Sequence, residues 1–345
     1  MTESRSSAGL PAVARALQRM IVLSASFVAL VLGYLIYLIS GRTPRLSFHS
    51  MRRLYGPTEG ALNRFFLRQA RRFRPAPPIA SVDGFLGTFS PAEMASLVAR
   101  IESDGFAMFD RRVPADICDA LTEFARTTPC LAMGQKLPVI YTEESASALR
   151  YDFSEQLILD NPAACRMVFD GTLATIAAAY FKCQPIYDFC AMWWTTRHGE
   201  RDYSQAAQKF HFDMDRPFFL KFFVYLTDVT PPTGPHVFVT GSHKDKPPSL
   251  RDARRFEDAE VEACYPADDI NVICGPKGSI FAVDTMGLHK GLPVISGHRL
   301  AFQIEFTISR FGQNYPKATV RTTTLRDAGV PLPVDARTFA YVVET

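Results

Sequence analysis

The stretch Phe210-His211-Phe212-Asp213-Met214-Asp215 decides how the rest of the chain is read. Side chains alternate along an extended strand, so His211 and Asp213, two residues apart, leave the same face. An imidazole and a carboxylate held side by side offer a metal ion two ligands. Asp215 is a second carboxylate, but its four-residue spacing from His211 suits a strand less well. A third ligand, His289, follows the strand-like run Gly278-Ser-Ile-Phe-Ala-Val-Asp284. Two histidines and one carboxylate cover one face of an ion and leave the other open, the arrangement that suits non-haem Fe(II). Only seven histidines occur in 345 residues, so their appearance beside two separate strand patterns is informative.

Working outward, the sequence after Cys183 has a β texture. Apolar, β-branched and aromatic runs at Tyr187–Thr196, Leu220–Val229, Val237–Thr240, Ser279–Val283 and Arg299–Ile308 are separated by Gly, Pro and Asp turns. Short strands in series predict a closed or double-sheet antiparallel architecture such as a jelly roll. Thr338–Val343 is expected to add a last strand. Trp193 and Trp194 are neighbours on one predicted strand, so one faces the pocket and the other the core, and spacing does not say which.

The preceding segment is helical. Ser90-Pro-Ala-Glu93 supplies an N-cap, a first-turn proline and an acid for a helix running to Arg100. Asp104-Gly105-Phe106 then turns into a short strand, and further helices are expected over Pro114–Arg126 and Asn161–Tyr180. Four other histidines, His198, His236, His243 and His298, read as loop residues that are solvated or bonded to nearby backbone.

The N-terminal region differs from both. Residues 1–19 are a polar lead, and Met20–Ser40 carries no charge over a length that matches the roughly 20 apolar residues of a membrane-crossing helix. A signal peptide would have a shorter apolar core and a small-x-small cleavage site, which Leu38-Ile39-Ser40-Gly41 does not provide. Residues 41–82 hold nine arginines against the single acid Glu59 and end in Pro75-Ala-Pro-Pro78. Within them, Leu62–Arg74 mixes aromatics with arginines, as a helix lying on an anionic membrane would; a basic helix packed on the domain fits equally well. The arginines after the apolar run place the following domain, residues 83–345, on the cytoplasmic side. The seven cysteines lack any Cys-x-x-Cys pair and read as reduced, mostly buried thiols.

Taken together, these segments resemble the phytanoyl-CoA dioxygenase-like family of Fe(II)- and 2-oxoglutarate-dependent oxygenases. The likeness runs from Asp104-Gly105-Phe106 through His211-Phe-Asp213 and Leu220-Lys-Phe-Phe-Val-Tyr-Leu-Thr-Asp228. It continues in Thr233-Gly234-Pro235, Val239-Thr-Gly-Ser-His243, Gly278–Asp284, His289-Lys-Gly291 and Arg299, covering residues 88 to 310. The resemblance implies a mainly β double-stranded β-helix (jelly roll, cupin-like) flanked by helices, and here preceded by a single transmembrane helix.

It further implies iron ligands His211, Asp213 and His289, with Arg299 on the distal carboxylate of 2-oxoglutarate. A guanidinium fork matches a carboxylate independently of any family. Lys221 would be a further co-substrate contact. The implied cofactors are Fe(II), 2-oxoglutarate and O2, and the implied reaction is hydroxylation of a C–H bond. Family features absent here include an asparagine after the distal histidine and a hydroxyl residue at Ala301. Retention of Asp213 argues against halogenation, which needs that ligand position opened to halide.

The expected partners are a small lipid-like or amphiphilic substrate and a membrane, with no nucleic acid. Two other classes share such a fold: a catalytically silent membrane-tethered binding or scaffold protein, and a cupin metalloenzyme independent of 2-oxoglutarate.

Overall fold

The computed structural model describes residues 12–197 and 207–344; His198 and most of the polar lead fall outside them. Three helices come first: α1 (Ala12–Ser40), α2 (Arg45–Tyr55) and α3 (Ala61–Phe73). A hairpin, β1 (Val82–Gly84) with β2 (Gly87–Phe89), leads into α4 (Pro91–Asp104). The Ser90 hydroxyl caps the backbone N–H of Glu93, and the Glu93 carboxylate reaches back to the N–H of Ser90. These are the reciprocal bonds expected of that sequence. At the other end Gly105 takes φ 90°, where a side chain would also run into the Phe238 ring and His243, and the chain enters β3 (Phe106–Arg112).

After α5 (Ala115–Thr127), β4 (Leu131–Ala132) and β5 (Arg150–Asp152), the expected long helix over Asn161–Tyr180 is broken. In its place, after the short α6 (Glu155–Leu159), stand α7 (Pro162–Val168) and α8 (Gly171–Phe181). The break lies at Asp170, whose carboxylate caps α8 through the Thr172 N–H and also accepts from the Phe85 N–H of the hairpin. An alanine-rich propensity signal did not register that side chain as a competing helix start.

The remaining strands are β6 (Ile186–Thr196), β7 (Phe219–Tyr225), β8 (His236–Val239), β9 (Ile270–Ile273), β10 (Ser279–Val283), β11 (His289–Gly291) and β12 (His298–Thr307). They form a seven-stranded antiparallel sheet in the order β3-β10-β7-β12-β6-β5-β4 and a three-stranded one in the order β11-β8-β9. The chain is thus a mixed α and β structure built on a double-stranded β-helix-like antiparallel sheet. Thr338–Val343 is not the strand anticipated: pairing there is confined to Val343–Glu344 against Val320–Arg321.

Alternation sorts the large sheet into two faces. Leu220, Phe222 and Val224 of β7, with Leu300, Phe302, Ile304 and Phe306 of β12, bury against the helices in the main core. The opposite faces of the same strands carry Lys221, Phe223, Arg299 and Gln303 toward the interior of the barrel. Trp194 belongs to the core face and donates its indole N–H to the Ala125 carbonyl, whereas Trp193 faces inward. Five cysteines are buried and all seven are free thiols.

The N-terminal helices do not stand apart. Leu30, Phe48, Met51, Leu54 and Phe311 make a common core that joins α1 and α2 to the body, with Tyr34, Tyr37 and Phe66 packed around it. The Arg74 guanidinium donates to the Ile308 carbonyl, and Pro75 pairs with Cys183, so the Pro-rich segment begins pinned to the body.

Candidate metal and co-substrate site

His211 lies just outside the strands proper and is held by backbone pairing. His211 and His289 exchange N–H to carbonyl bonds of 3.0 and 2.8 Å, and the Asp213 N–H donates to the Thr285 carbonyl. The two-residue spacing therefore does what alternation predicts, aiming His211 and Asp213 at the residue opposite. The turn before His289 is fixed by Asp284, which accepts from the Tyr180 hydroxyl at 2.6 Å and from the Met286 N–H at 3.0 Å.

His211, Asp213 and His289 bring one ligand atom each to within 4.8 Å of one another, the only cluster of this kind among the described residues. The Nδ1 atoms lie 2.9 Å from the Lys209 carbonyl and 3.0 Å from the Gly287 carbonyl. A carbonyl only accepts, so each Nδ1 carries the proton and each Nε2 presents a lone pair. Those lone pairs face the Asp213 carboxylate at 3.7 and 3.6 Å. Burial pushes the His211 imidazole down to about 3 and also lowers His289, so both are neutral. Burial works to raise the Asp213 carboxyl, but the Lys221 ammonium beside it outweighs this and holds the group ionised.

Three acceptors converging with no proton among them repel unless a cation joins them. His211, Asp213 and His289 would hold a divalent cation between them and leave its other face open. The donor set fits Fe(II).

Lys221 is buried on β7 with its ammonium 2.7 Å from Asp213 and 3.4 Å from Glu305, its register partner on β12. Asp215, the alternative carboxylate, stays outside the cluster. Arg299 opens β12 and is buried; one terminal nitrogen donates to the Gly234 carbonyl and the other to the Thr195 hydroxyl at 3.1 Å. Its Nε has no partner, and no carboxylate pairs with it among the described residues. A buried guanidinium without a counter-ion is costly and marks a place for an anion. The triad, Lys221 and Arg299 line one cavity of about 290 Å³, together with Trp193, Phe189 and Phe223.

Sequence reasoning missed His236. Read as a loop residue, it begins β8, is buried, stacks against His289 with ring centroids 5.4 Å apart, and finds no partner for its Nε2 among the described residues of the same cavity. Its register opposite Gly291 on β11 and Ile273 on β9 places it there, and no local motif announces that register. Arg150, stacked over Trp193, and Arg255 add two further guanidiniums to the lining. By contrast His243 and His298 lie away from the cavity, His298 beside Tyr141 at 3.3 Å.

The family model described as phytanoyl-CoA dioxygenase (PhyH) matches residues 101–301, more than half of the chain. The chain belongs to the phytanoyl-CoA dioxygenase family. It is accordingly an Fe(II)- and 2-oxoglutarate-dependent oxygenase, with iron and 2-oxoglutarate as its cofactors.

No curated protein sequence matches the chain. Among solved structures it is similar to AviO1 from Streptomyces viridochromogenes Tue57, at 19% identity over 65% of this chain and 98% of that one, with a TM-score of 0.42. The 2-oxoglutarate-dependent epimerase SnoN of nogalamycin biosynthesis is 18% identical over 63% and 84% of the two chains, with a TM-score of 0.48. EctD from S. alaskensis, solved with 2-oxoglutarate and 5-hydroxyectoine, is 16% identical over 70% and 92%, with a TM-score of 0.46. These scores all lie below 0.5, so family membership rests on the family match alone.

Proposed function

We propose that this family member is a membrane-held dioxygenase that hydroxylates a C–H bond of a small, lipid-like or amphiphilic substrate. The observation that carries the reading is the juxtaposition, in one cavity, of two neutral imidazoles facing a carboxylate and a buried guanidinium that no carboxylate of the described residues pairs with. His211, Asp213 and His289 hold the iron. Arg299, with the Thr195 hydroxyl, receives the distal carboxylate of 2-oxoglutarate, and His236 stands beside it. Iron and 2-oxoglutarate together supply oxidising power from dioxygen.

The protein's own part is placement. Lys221 ties Asp213 to Glu305 on the neighbouring strand, which fixes the carboxylate and keeps it ionised. Its short contact to Asp213 assigns it to the metal ligand first and makes its role toward the co-substrate indirect. Trp193, Phe189 and Phe223 wall the cavity with apolar surface that limits water.

We keep the division into an apolar anchor at residues 20–40, a basic segment at 41–82 and an oxygenase domain at 83–345. The domain sits on the cytoplasmic side, where its free thiols stay reduced. α1 is the one described helix long and apolar enough to cross a membrane.

Anaerobic addition of Fe(II) and 2-oxoglutarate is expected to produce a charge-transfer absorption band that His211→Ala abolishes. Release of succinate is then measured across a substrate panel that includes membrane lipid extracts. Turnover indifferent to every lipid but stimulated by a soluble metabolite refutes the amphiphile reading.

A further inference from the structure

The way α1 is held says how the protein meets its membrane. From Leu23 to Tyr37 one face of α1 packs on protein: Ser26, Leu30 and Gly33 are buried, and Tyr34 and Tyr37 sit edge-on to Phe311 of the body. The Ser47 hydroxyl of α2 donates to the Ala29 carbonyl at 2.9 Å, and a side chain at Gly33 would collide with it. Farther along α2, Arg53 reaches the Ser26 hydroxyl at 3.5 Å. The opposite face of α1 is open and apolar: Phe27, Val28, Val31, Leu35 and Ile36 are each at least 44% exposed.

A perpendicular crossing needs the whole uncharged run Met20–Ser40, since about 20 residues span the hydrocarbon. Ser26 would then lie roughly 9 Å inside the run, and Arg53, α2 and the Phe311 region of the body would follow it into hydrocarbon. A guanidinium at such depth is strongly disfavoured. A helix lying in the interface avoids this, burying its outer face by about 5–10 Å while the inner face keeps its protein contacts.

The neighbouring surface extends the same plane. Between α1 and α3 runs an apolar cleft of about 720 Å³, lined by Val31, Leu35 and Leu38 on one side and Phe65, Phe66 and Phe73 on the other. Phe73, at 73% exposure, projects at its edge. Arg74 lines the cleft itself and Arg72 stacks over the Phe73 ring, while residues 41–74 carry nine arginines against the single acid Glu59.

We propose that α1 lies in the plane of an anionic phospholipid bilayer as a monotopic anchor, with an acyl chain of that bilayer filling the α1/α3 cleft. The apolar band matches hydrocarbon, and the arginine border matches phosphate headgroups at the interface. The active-site domain is thereby fixed rigidly to the membrane surface, not tethered by a free helix. This rests on the membrane-held reading given above and refines its geometry.

The test uses the full chain with an epitope tag before Met1, incorporated into vesicles of phosphatidylcholine and phosphatidylglycerol and treated with external protease. An in-plane anchor leaves the tag and the oxygenase domain on one side, so both are cut or both are protected. A tag protected while the domain is cut, or the reverse, overturns the in-plane seat and leaves membrane attachment standing. Failure to bind vesicles at all overturns both.

Two further measurements bear on the surface itself. Val28→Glu combined with Leu35→Glu touches only the open face; it is expected to lower vesicle partition at least tenfold with an unchanged melting temperature. Native mass spectrometry of the detergent-purified chain is expected to show a retained phospholipid, lost when Val31→Trp fills the cleft. Unchanged partition in the first variant, or equal lipid retention in the second, counts against the proposal.

Discussion

Replacing Arg299 separates a residue that binds an anion from one that merely supports the barrel. Its guanidinium is buried, spends two donors on the Gly234 carbonyl and the Thr195 hydroxyl, and finds no carboxylate among the described residues to neutralise it. Arg299→Met keeps the length and apolar stem of the side chain. Truncating one partner of a buried, hydrogen-bonded charge pair costs about 2–5 kcal/mol of binding. With Thr195 retained, about 3 kcal/mol is a fair expectation, and at 1.4 kcal/mol per decade this is roughly a 100-fold weaker affinity for 2-oxoglutarate.

The protein without co-substrate is expected to respond in the opposite sense. Removing a buried, unneutralised charge relieves a desolvation cost, so the melting temperature should not fall. The affinity for Fe(II) should also hold, because Arg299 makes no contact with the triad. The assay is an anaerobic titration of the Fe(II)-loaded protein with 2-oxoglutarate, followed by its absorption band and by calorimetry. A dissociation constant within threefold of the unmodified protein, or a melting temperature that drops by several degrees, refutes the assignment.

Three other expectations follow from buried groups. Lys221→Met strands two buried carboxylates, Asp213, which loses its donor at 2.7 Å, and Glu305, whose oxygens have no hydrogen-bond donor among the described residues; it should destabilise by about 3–5 kcal/mol, and adding Glu305→Gln should restore only part of this in denaturant unfolding. Glu155 accepts from the Tyr187 hydroxyl at 2.7 Å and the Cys190 N–H at 3.0 Å, and burial pushes it up from 4.5 to about 7. An acid raised in the fold stabilises fully below its unfolded value and loses that contribution as pH rises through the folded one. Stability should therefore fall between pH 4.5 and 7 by at most about 3 kcal/mol, and Glu155→Gln, which keeps the acceptor, should flatten that slope in thermal melts at stepped pH. Leu30→Asp places a charge in the core shared by α1, α2 and Phe311; it should lower the melting temperature of the whole chain, whereas a free anchor would leave the melting temperature of the body unchanged.

What could be read from the sequence was what local spacing encodes. His211 and Asp213 are two apart on extended chain, and Ser90 with Glu93 forms a capping box; both geometries are set by residues within four positions of each other. The β texture of β6, β7, β10 and β12 was legible because each strand is long enough to show its apolar character on both faces. The four-residue β8 was also legible, as the apolar run Val237–Thr240, but β9 and β11 were not: β9 is broken by Asn271 and only partly buried, and the three residues of β11, His289-Lys-Gly291, show no apolar pattern. Partners distant in sequence were equally hidden. His236 becomes a wall of the site through its register between Gly291 and Ile273, and Asp170 breaks a helix partly because the Phe85 N–H of a hairpin 85 residues away uses the same carboxylate.

The N-terminal helix shows the limit most clearly. Its composition reports that it avoids water, which holds alike for a helix crossing hydrocarbon and for one pressed between a protein and a bilayer. The difference lies in Ser26, Gly33 and Ser47, small polar or absent side chains that let α2 approach α1 closely. Small residues of this kind are also common between membrane-embedded helices, so their meaning depends on what stands opposite. Here it is α2, whose Arg53 reaches Ser26, and that guanidinium is the physical reason to place the helix at the interface.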